Sequence, residues 1–141
     1  PPRSTLFPYT TLFRSVLSDP KGSALYHHIK HGELKIEGKS ITEGIGSSRV
    51  TKNFEQAPID DAYSINDHDA LTVLFELLEK EGLSLGTSTG INVAGAIKLA
   101  KDLGPNHTIV TILCDKSDIY RSKMFNKKFL TEKGLPYPKW L

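Results

Sequence analysis

Residues 83–100 read LSLGTSTGINVAGAIKLA, and this stretch decides how the chain is expected to fold. It predicts a short strand, a Gly-Thr-Ser-Thr-Gly turn and a helix. The first backbone N–H groups of such a helix lack internal partners and can bind a ligand. Ser88 and Thr89 add hydroxyl groups at the same place. Ser and Thr also cap many helices for structural reasons alone, so the turn leaves both binding and capping open.

Glycine and alanine recur through this stretch where they can affect the turn and the packing of the helix. We expect Gly86 and Gly90 to adopt positive φ angles or to allow close backbone approach. Ala94, Gly95 and Ala96 give the helix a thin side. A thin side predicts tight packing of the helix beneath a sheet.

Regular elements are predicted on both sides of this stretch. Residues 66–81 predict a helix with an Asn N-cap and a broad apolar face, and Gly82 is its stop signal. Residues 108–114, TIVTILC, predict a strand covered on both faces of a parallel sheet. The alternation of helices and strands indicates an α/β fold with a parallel sheet. Two strand ends then meet at one edge, after Leu85 and at Cys114 and Asp115, where α/β sheets bind ligands.

A glycine-rich loop is predicted further upstream, in residues 38–50, GKSITEGIGSSRV. Gly44 and Gly46 flank Ile45, so the backbone is expected to bend sharply or to approach another segment closely. A plain surface loop is the alternative.

Two clusters of titratable residues do not match the pattern of a metal site or of an acid–base pair. His27, His28 and His31 lie on a predicted helix, and positions 27 and 31 share a face. No carboxylate follows at the spacing of a zinc motif, which favours a solvated face. Asp60 and Asp61 are adjacent, and adjacent strand residues face opposite ways. The sequence therefore predicts no metal site.

The first fifteen residues are expected to be foreign to the protein. Residues 5–15, TLFPYTTLFRS, match the translation of a widely used short-read sequencing adapter, and residues 1–4 lie upstream of it. The alternative is a real hydrophobic strand pair. We divide the chain into an adapter-derived segment, 1–15, and a native part, 16–141, and exclude the first from fold reasoning.

The composition is that of an ordinary globular domain. The 141 residues are 38% hydrophobic and 24% charged, with a net charge of +2. This charge is too small to favour nucleic acid as a partner, and no apolar run is long enough for a membrane span. The single cysteine excludes an intrachain disulfide and favours a reducing compartment. We expect a cytoplasmic location, while the hidden natural N-terminus leaves an organelle open.

Four segments taken together resemble one enzyme family: 40–46 (SITEGIG), 81–100, 104–115 (GPNHTIVTILCD) and 134–141 (GLPYPKWL). In order and spacing they are similar to cysteine synthase, or O-acetylserine sulfhydrylase. This family uses pyridoxal phosphate (PLP) on fold type II, the fold of tryptophan synthase β. The likeness covers the C-terminal part of the family's chain. It implies the parallel-sheet portion of that α/β fold, which would be incomplete here.

The resemblance implies site residues one by one. Ser88 matches the family serine that hydrogen-bonds the pyridine nitrogen of PLP, and Cys114 matches a residue near the same nitrogen. The full set that the resemblance assigns to the cofactor is Gly86, Thr87, Ser88 and Cys114. The set that it assigns to the substrate side is Gly44, Ile45 and Gly46.

The implied reaction is a β-replacement in which O-acetylserine loses acetate and sulfide then adds to give cysteine. Family members are usually homodimers. The Schiff-base lysine, the substrate-carboxylate loop and the phosphate-binding loop have no counterpart in this chain. The resemblance therefore assigns no catalytic residue, and we expect the chain alone to be inactive and poorly soluble, since its sheet would lack neighbouring strands.

Three departures from the family pattern keep other hypotheses open. Thr87 stands where glycine is usual and would be strained if the turn needs a positive φ there. Ser117 and Ile119 replace the usual glycine and arginine. A fragment of a cystathionine β-synthase-like enzyme, or a non-catalytic module that retains the fold, remains the alternative.

Overall fold

The computed structural model describes residues 13–141. All but the last three residues of the segment assigned to the adapter lie outside this range, so that assignment stays a prediction. The elements in chain order are β1 (Val16–Pro20), α1 (Leu25–His31), α2 (Lys52–Glu55), β2 (Asp61–Ile65), α3 (Asp67–Glu81), α4 (Thr87–Leu103), a 3-10 helix (Ser117–Tyr120), α5 (Arg121–Met124) and α6 (Lys127–Glu132). Within this range no helix combines the length and hydropathy that crossing a membrane requires.

β1 and β2 form a parallel pair in which Val16 lies opposite Asp61. The pairing continues one residue further back, because Ser15 N donates to Asp60 Oδ2 at 2.8 Å and Asp60 N donates to Ser15 O at 2.8 Å. The connection between the two strands contains α1 and α2. The parallel α/β arrangement expected from the sequence is therefore confirmed.

α3 begins and ends where its sequence signals indicated. Asn66 Oδ1 accepts a hydrogen bond from Asp69 N at 2.8 Å, which satisfies one of the free donors of the first turn. Gly82 ends the helix with φ 69°, a left-handed conformation that favours glycine. The predicted helix is thus confirmed to within one residue.

Two hydrophobic clusters hold the helices together. The first joins α3 to the C-terminal helices, and its buried members are Leu71, Leu74, Phe75, Tyr120, Met124 and Leu130. The second lies where β2, α3 and α4 meet, and its buried members are Ile65, Ala70, Ile91 and Ala94. α4 therefore presents its first half to the core, while Ile97 and Leu103 in its second half are exposed.

α4 approaches its neighbours closely at two glycines. A Cβ added to Gly90 would lie 2.7 Å from Ala70 O and 2.8 Å from Leu74 Cδ1. A Cβ added to Gly95 would lie 1.8 Å from Ser18 Oγ on β1. The predicted thin side of the helix is confirmed, because only a missing side chain allows this contact with the sheet.

Two predicted strands are wrong. Leu85 makes a single antiparallel bridge with Lys116, and residues 108–114 form no regular element. Val110 and Ile112 are 85% and 65% exposed rather than buried. Apolar composition alone does not make a strand, since a parallel strand needs a partner to satisfy its backbone groups.

The exposed apolar stretch predicts a solubility defect that charge should relieve. We expect the double change Val110→Lys and Ile112→Lys to raise the soluble yield of the chain, because lysine discourages edge-to-edge association. The control adds the same charge at two other exposed apolar positions, Leu34 and Ile119. Equal improvement in both variants would mean that net charge, not this stretch, limits solubility.

Candidate functional site

The site is built at the N-terminus of α4. Gly86 precedes the helix with φ −77°, and its N–H donates to Asp115 O at 2.8 Å. A Cβ added to Gly86 would lie 2.1 Å from Asp115 Oδ1 and 2.6 Å from Tyr120 Cε2. Glycine is therefore needed here for close approach, and neither Gly86 nor Gly90 uses a positive φ.

Two threonines in the first turn of α4 tie distant segments to it. Thr87 Oγ1 accepts from Glu43 N at 3.3 Å, and Thr89 Oγ1 accepts from Cys114 N at 2.9 Å. Both threonines are buried. Ser88 lies between them. The structure therefore brings together the glycine-rich loop, the first turn of α4 and the segment that ends at Cys114.

Ser88 is 6% exposed, and its hydroxyl is not surrounded by hydrocarbon alone. Its Oγ donates to Asp115 Oδ1 at 3.4 Å, a long hydrogen bond. Tyr120 OH donates to the other carboxylate oxygen, Oδ2, at 2.5 Å. Sequence reasoning brought Asp115 to this edge but missed Tyr120, which the 3-10 helix folds back against it.

The hydrogen bond to the Asp115 carboxylate raises the pKa of Tyr120 to about 12. We expect Tyr120→Phe to lower the free energy of unfolding by about 1–2 kcal/mol at neutral pH, because Asp115 loses a buried donor. The pKa in the folded chain lies above its ordinary value, so this contribution is complete below pH 10 and is lost as the pH rises through 12.

Urea unfolding of both forms at several pH values measures this effect. The difference in the free energy of unfolding between wild type and Tyr120→Phe should shrink between pH 10 and 12. Tyr63, whose pKa is likewise raised to about 12 by its hydrogen bond to Asp102, stays in both forms and cancels in the comparison. A gap that is constant with pH would contradict the assignment.

The glycine-rich loop bends as its sequence predicted. Gly44 and Gly46 have φ angles of 75° and 84°. A Cβ added to Gly46 would lie 2.8 Å from Pro20 Cγ and 2.9 Å from Ser23 Cβ. Ile45 packs against the cluster of β2, α3 and α4. The loop is therefore fixed on one side and reaches the α4 turn through Glu43.

Cys114 is exposed and is held by a residue that sequence reasoning missed. Asn92 Nδ2 donates to Ile112 O at 3.0 Å and to Cys114 Sγ at 3.5 Å. Asn92 lies one helical turn after Ser88, and the signal that could have revealed it is this four-residue spacing on α4.

The three residues that depart from the family pattern fit the fold without backbone strain. Thr87 is helical, and Asn106 is the one non-glycine residue with a positive φ among those described, so the strain considered for Thr87 does not arise. Ser117 is buried with its Oγ 2.5 Å from Ser84 Oγ. Ile119 is 74% exposed.

One histidine of α1 lies beside a carboxylate. His27 Nε2 lies 3.1 Å from Glu37 Oε2. Between residues 13 and 141 no group of three His, Cys, Asp or Glu side chains is placed to hold a metal ion.

Comparison with known proteins places the chain in a family. The family described as "Pyridoxal-phosphate dependent enzyme" matches residues 9–115. Cysteine synthase 2 of Schizosaccharomyces pombe is 40% identical over 132 residues, which cover 84% of this chain and 33% of the relative. Cysteine synthase 1 of Emericella nidulans is 40% identical over 126 residues, which cover 86% of this chain and 34% of the relative.

A solved structure is also similar to most of this chain. An O-acetylserine dependent cystathionine beta-synthase from Helicobacter pylori is 30% identical, with a TM-score of 0.70 over 84% of this chain and 36% of that one. The chain spans about a third of the length of the curated relatives that it matches. The resemblance to cysteine synthases and the α/β fold of type II are confirmed. Since the family match extends over more than half of the residues, this chain belongs to the pyridoxal-phosphate-dependent enzymes.

Proposed function

We propose that residues 16–141 are the C-terminal part of the catalytic region of a cysteine synthase, which converts O-acetylserine and sulfide to cysteine and acetate. The observation that carries this proposal is the position of Ser88. Thr87 and Thr89, on either side of it, bind Glu43 N and Cys114 N, so the three segments that the resemblance assigns to cofactor and substrate meet at one point. The cysteine synthases that match at 40% identity support it.

The residues at this point fit a pyridine ring. Ser88 offers a neutral hydroxyl, and its 3.4 Å hydrogen bond to Asp115 is long enough for the hydroxyl to turn toward a ring nitrogen. When bound, PLP supplies an electron sink for chemistry at the substrate's Cα and Cβ. A hydroxyl does not hold the ring nitrogen protonated as a carboxylate would, which suits elimination and replacement at Cβ.

The substrate side is assigned to the glycine-rich loop. Gly44 is exposed, and a Cβ added to it would have no neighbour within 4 Å, so there is room for a substrate. Gly46 lies so close to Pro20 and Ser23 that a Cβ would have no room. The loop thus offers an open backbone surface with a rigid base, which favours orientation of O-acetylserine against the cofactor.

The 141-residue chain is expected to make no cysteine when it is mixed with PLP, O-acetylserine and sulfide. A lysine amine must lie within reach of the proton that it removes from the substrate's Cα. Lys123, on α5, is instead paired with Glu43. Borohydride treatment followed by mass spectrometry should find no single lysine modified stoichiometrically by PLP. Cysteine formation together with one such modified lysine would contradict the prediction.

The function itself is tested in a chimera. Residues 16–141 replace the matching segment of the Schizosaccharomyces pombe cysteine synthase 2, and the product formed from O-acetylserine and sulfide is measured. We expect cysteine, and we expect Ser88→Ala to lower the rate by about 10-fold or more without loss of bound PLP. Ala100→Ser, on the exposed face of the same helix, is the control. A folded, PLP-loaded chimera that makes no cysteine would overturn the proposal.

A second candidate is a cystathionine β-synthase-like enzyme, because the Helicobacter pylori protein shares the fold at 30% identity. The same chimera distinguishes the two when homocysteine replaces sulfide as the nucleophile. A non-catalytic module is a weaker candidate, since Thr87 is unstrained.

Three further assignments belong to this proposal. The enzyme acts as a cytoplasmic homodimer, and the free, exposed thiol of Cys114 suits a reducing compartment. Residues 1–15 are adapter-derived, although the family match begins at residue 9, inside that segment. Sequencing of genomic DNA across codons 1–20 tests the boundary. Genomic DNA that itself encodes TLFPYTTLFRS directly before codon 16 would overturn the assignment.

A further inference from the structure

A groove of about 500 Å³ lies beside the glycine-rich loop. Three segments line it, near residues 20–23, 36–42 and 45–48. A volume of this size is typical of sites for small molecules. Ile45 and Gly46 belong both to this groove and to the loop assigned to the substrate side.

Hydrogen bonds between the three segments fix the shape of the groove. Gly22 N donates to Glu37 O at 2.9 Å. Ser47 N donates to Ser23 Oγ at 2.9 Å, and Ser23 Oγ donates in turn to Ser47 O at 3.0 Å. Because each wall is tied to its neighbour, a ligand would not have to order the backbone when it binds.

The charge of the groove is positive. Lys21 and Lys39 line it, and its lining includes no acidic residue. In the part of the chain that the structure describes, neither lysine makes an ion pair with a carboxylate. The stem of Lys21 lies along Gly38, where an added Cβ would be 3.5 Å from the lysine Cβ and Cδ, so less side-chain freedom remains to be lost on binding.

Among the described residues, the nearby carboxylates contact groups other than these two lysines. Glu37 pairs with His27, and Glu43 pairs with Lys123. Asp67 accepts a backbone N–H at 2.9 Å. A ligand would therefore meet the two ammonium groups without displacing an ion pair.

We propose that this groove binds a small molecule bearing carboxylate groups, with the ammonium groups of Lys21 and Lys39 as its charged partners. A carboxylate suits two ammonium donors, because each ammonium group acts as a point charge with three donor hydrogens. The binding itself does not depend on the proposed activity. Through Ile45 and Gly46, an occupied groove would change the space beside the substrate loop.

The test compares succinate with its neutral diamide, succinamide, as probes of the isotopically labelled 141-residue chain, which carries Val110→Lys and Ile112→Lys to raise its soluble yield. We expect succinate to shift the NMR amide signals of Gly22, Gly38 and Gly46 saturably, and succinamide to bind at least 10-fold more weakly. Equal affinity for the two probes, or shifts that do not saturate, would overturn the proposal whether or not the chimera makes cysteine.

Variants of the lysines complete the test. Lys21→Gln with Lys39→Gln should weaken succinate binding by 10-fold or more, and Lys101→Gln on α4 should leave it unchanged. The matched pair Lys21→Met with Lys39→Met keeps the apolar stems and removes the charges, so it should weaken binding equally. Unchanged succinate affinity in both double variants, with a spectrum that remains folded, would contradict the role of the lysines.

Discussion

Gly90→Val is expected to lower the free energy of unfolding by about 3 kcal/mol, the upper part of the usual range for overpacking. An added Cβ would lie 2.7 Å from the carbonyl oxygen of Ala70, which is backbone in the first turn of α3 and cannot move without shifting that helix. Leu74, on the same helix, would be 2.8 Å away. The change therefore separates α3 from α4 and opens both hydrophobic clusters.

Urea unfolding followed by the fluorescence of Trp140, the chain's single tryptophan, measures the loss. Trp140 is a suitable reporter because its Nε1 donates to Glu79 Oε1 on α3 at 3.1 Å. The control is Ala100→Val, which places the same valine side chain on the exposed face of α4, with an expected effect of about 0.5 kcal/mol. Equal losses in the two variants would show that helix propensity, not the contact with α3, limits stability.

Leu71→Ala is expected to cost about 3 kcal/mol, because it removes a side chain that is 1% exposed and leaves a cavity between α3 and the C-terminal helices. The same unfolding measurement applies. A loss of less than about 1 kcal/mol would mean that the cluster collapses around the smaller side chain.

The matched control is Val110→Ala, at a position that the sequence predicts to be buried and the structure shows to be 85% exposed. We expect a change within about 0.5 kcal/mol. A loss comparable to that of Leu71→Ala would restore the prediction of a buried strand over residues 108–114.

Local signals predicted the helices well because the cause of each boundary lies within a few residues of it. Asn66 caps α3 by binding Asp69 N three residues later, and Gly82 ends it with its own φ angle. The thin side of α4 was also predictable, since Gly95 can only serve close packing in the middle of a helix.

Strand formation over residues 108–114 could not be predicted in the same way. A strand forms only when a neighbouring strand pairs with its backbone groups, and the composition of a segment does not reveal whether such a neighbour exists. Leu85 shows the same limit, because its isolated bridge to Lys116 depends on a segment 31 positions away. The error is therefore one of long-range pairing rather than of local propensity.

The candidate site was predicted in its parts but not in its connections. Ser88, Gly46 and Cys114 were identified from motifs in separate segments. The hydrogen bonds of Thr87 with Glu43 and of Thr89 with Cys114 join positions that the sequence does not relate. The pairing of Tyr120 with Asp115 required the 3-10 helix to fold back, which depends on burial of Tyr120 in the first cluster.

The parallel pairing of β1 with β2 has a kinetic consequence. Val16 and Asp61, which lie opposite each other at the start of the pair, are 45 positions apart, so the intervening chain must close into a loop before the first strand contact forms. Closing that loop costs entropy that no local contact repays in advance. After dilution from denaturant, α3 should therefore appear within microseconds, while the sheet assembles on the slower timescale of non-local topologies, about milliseconds to seconds.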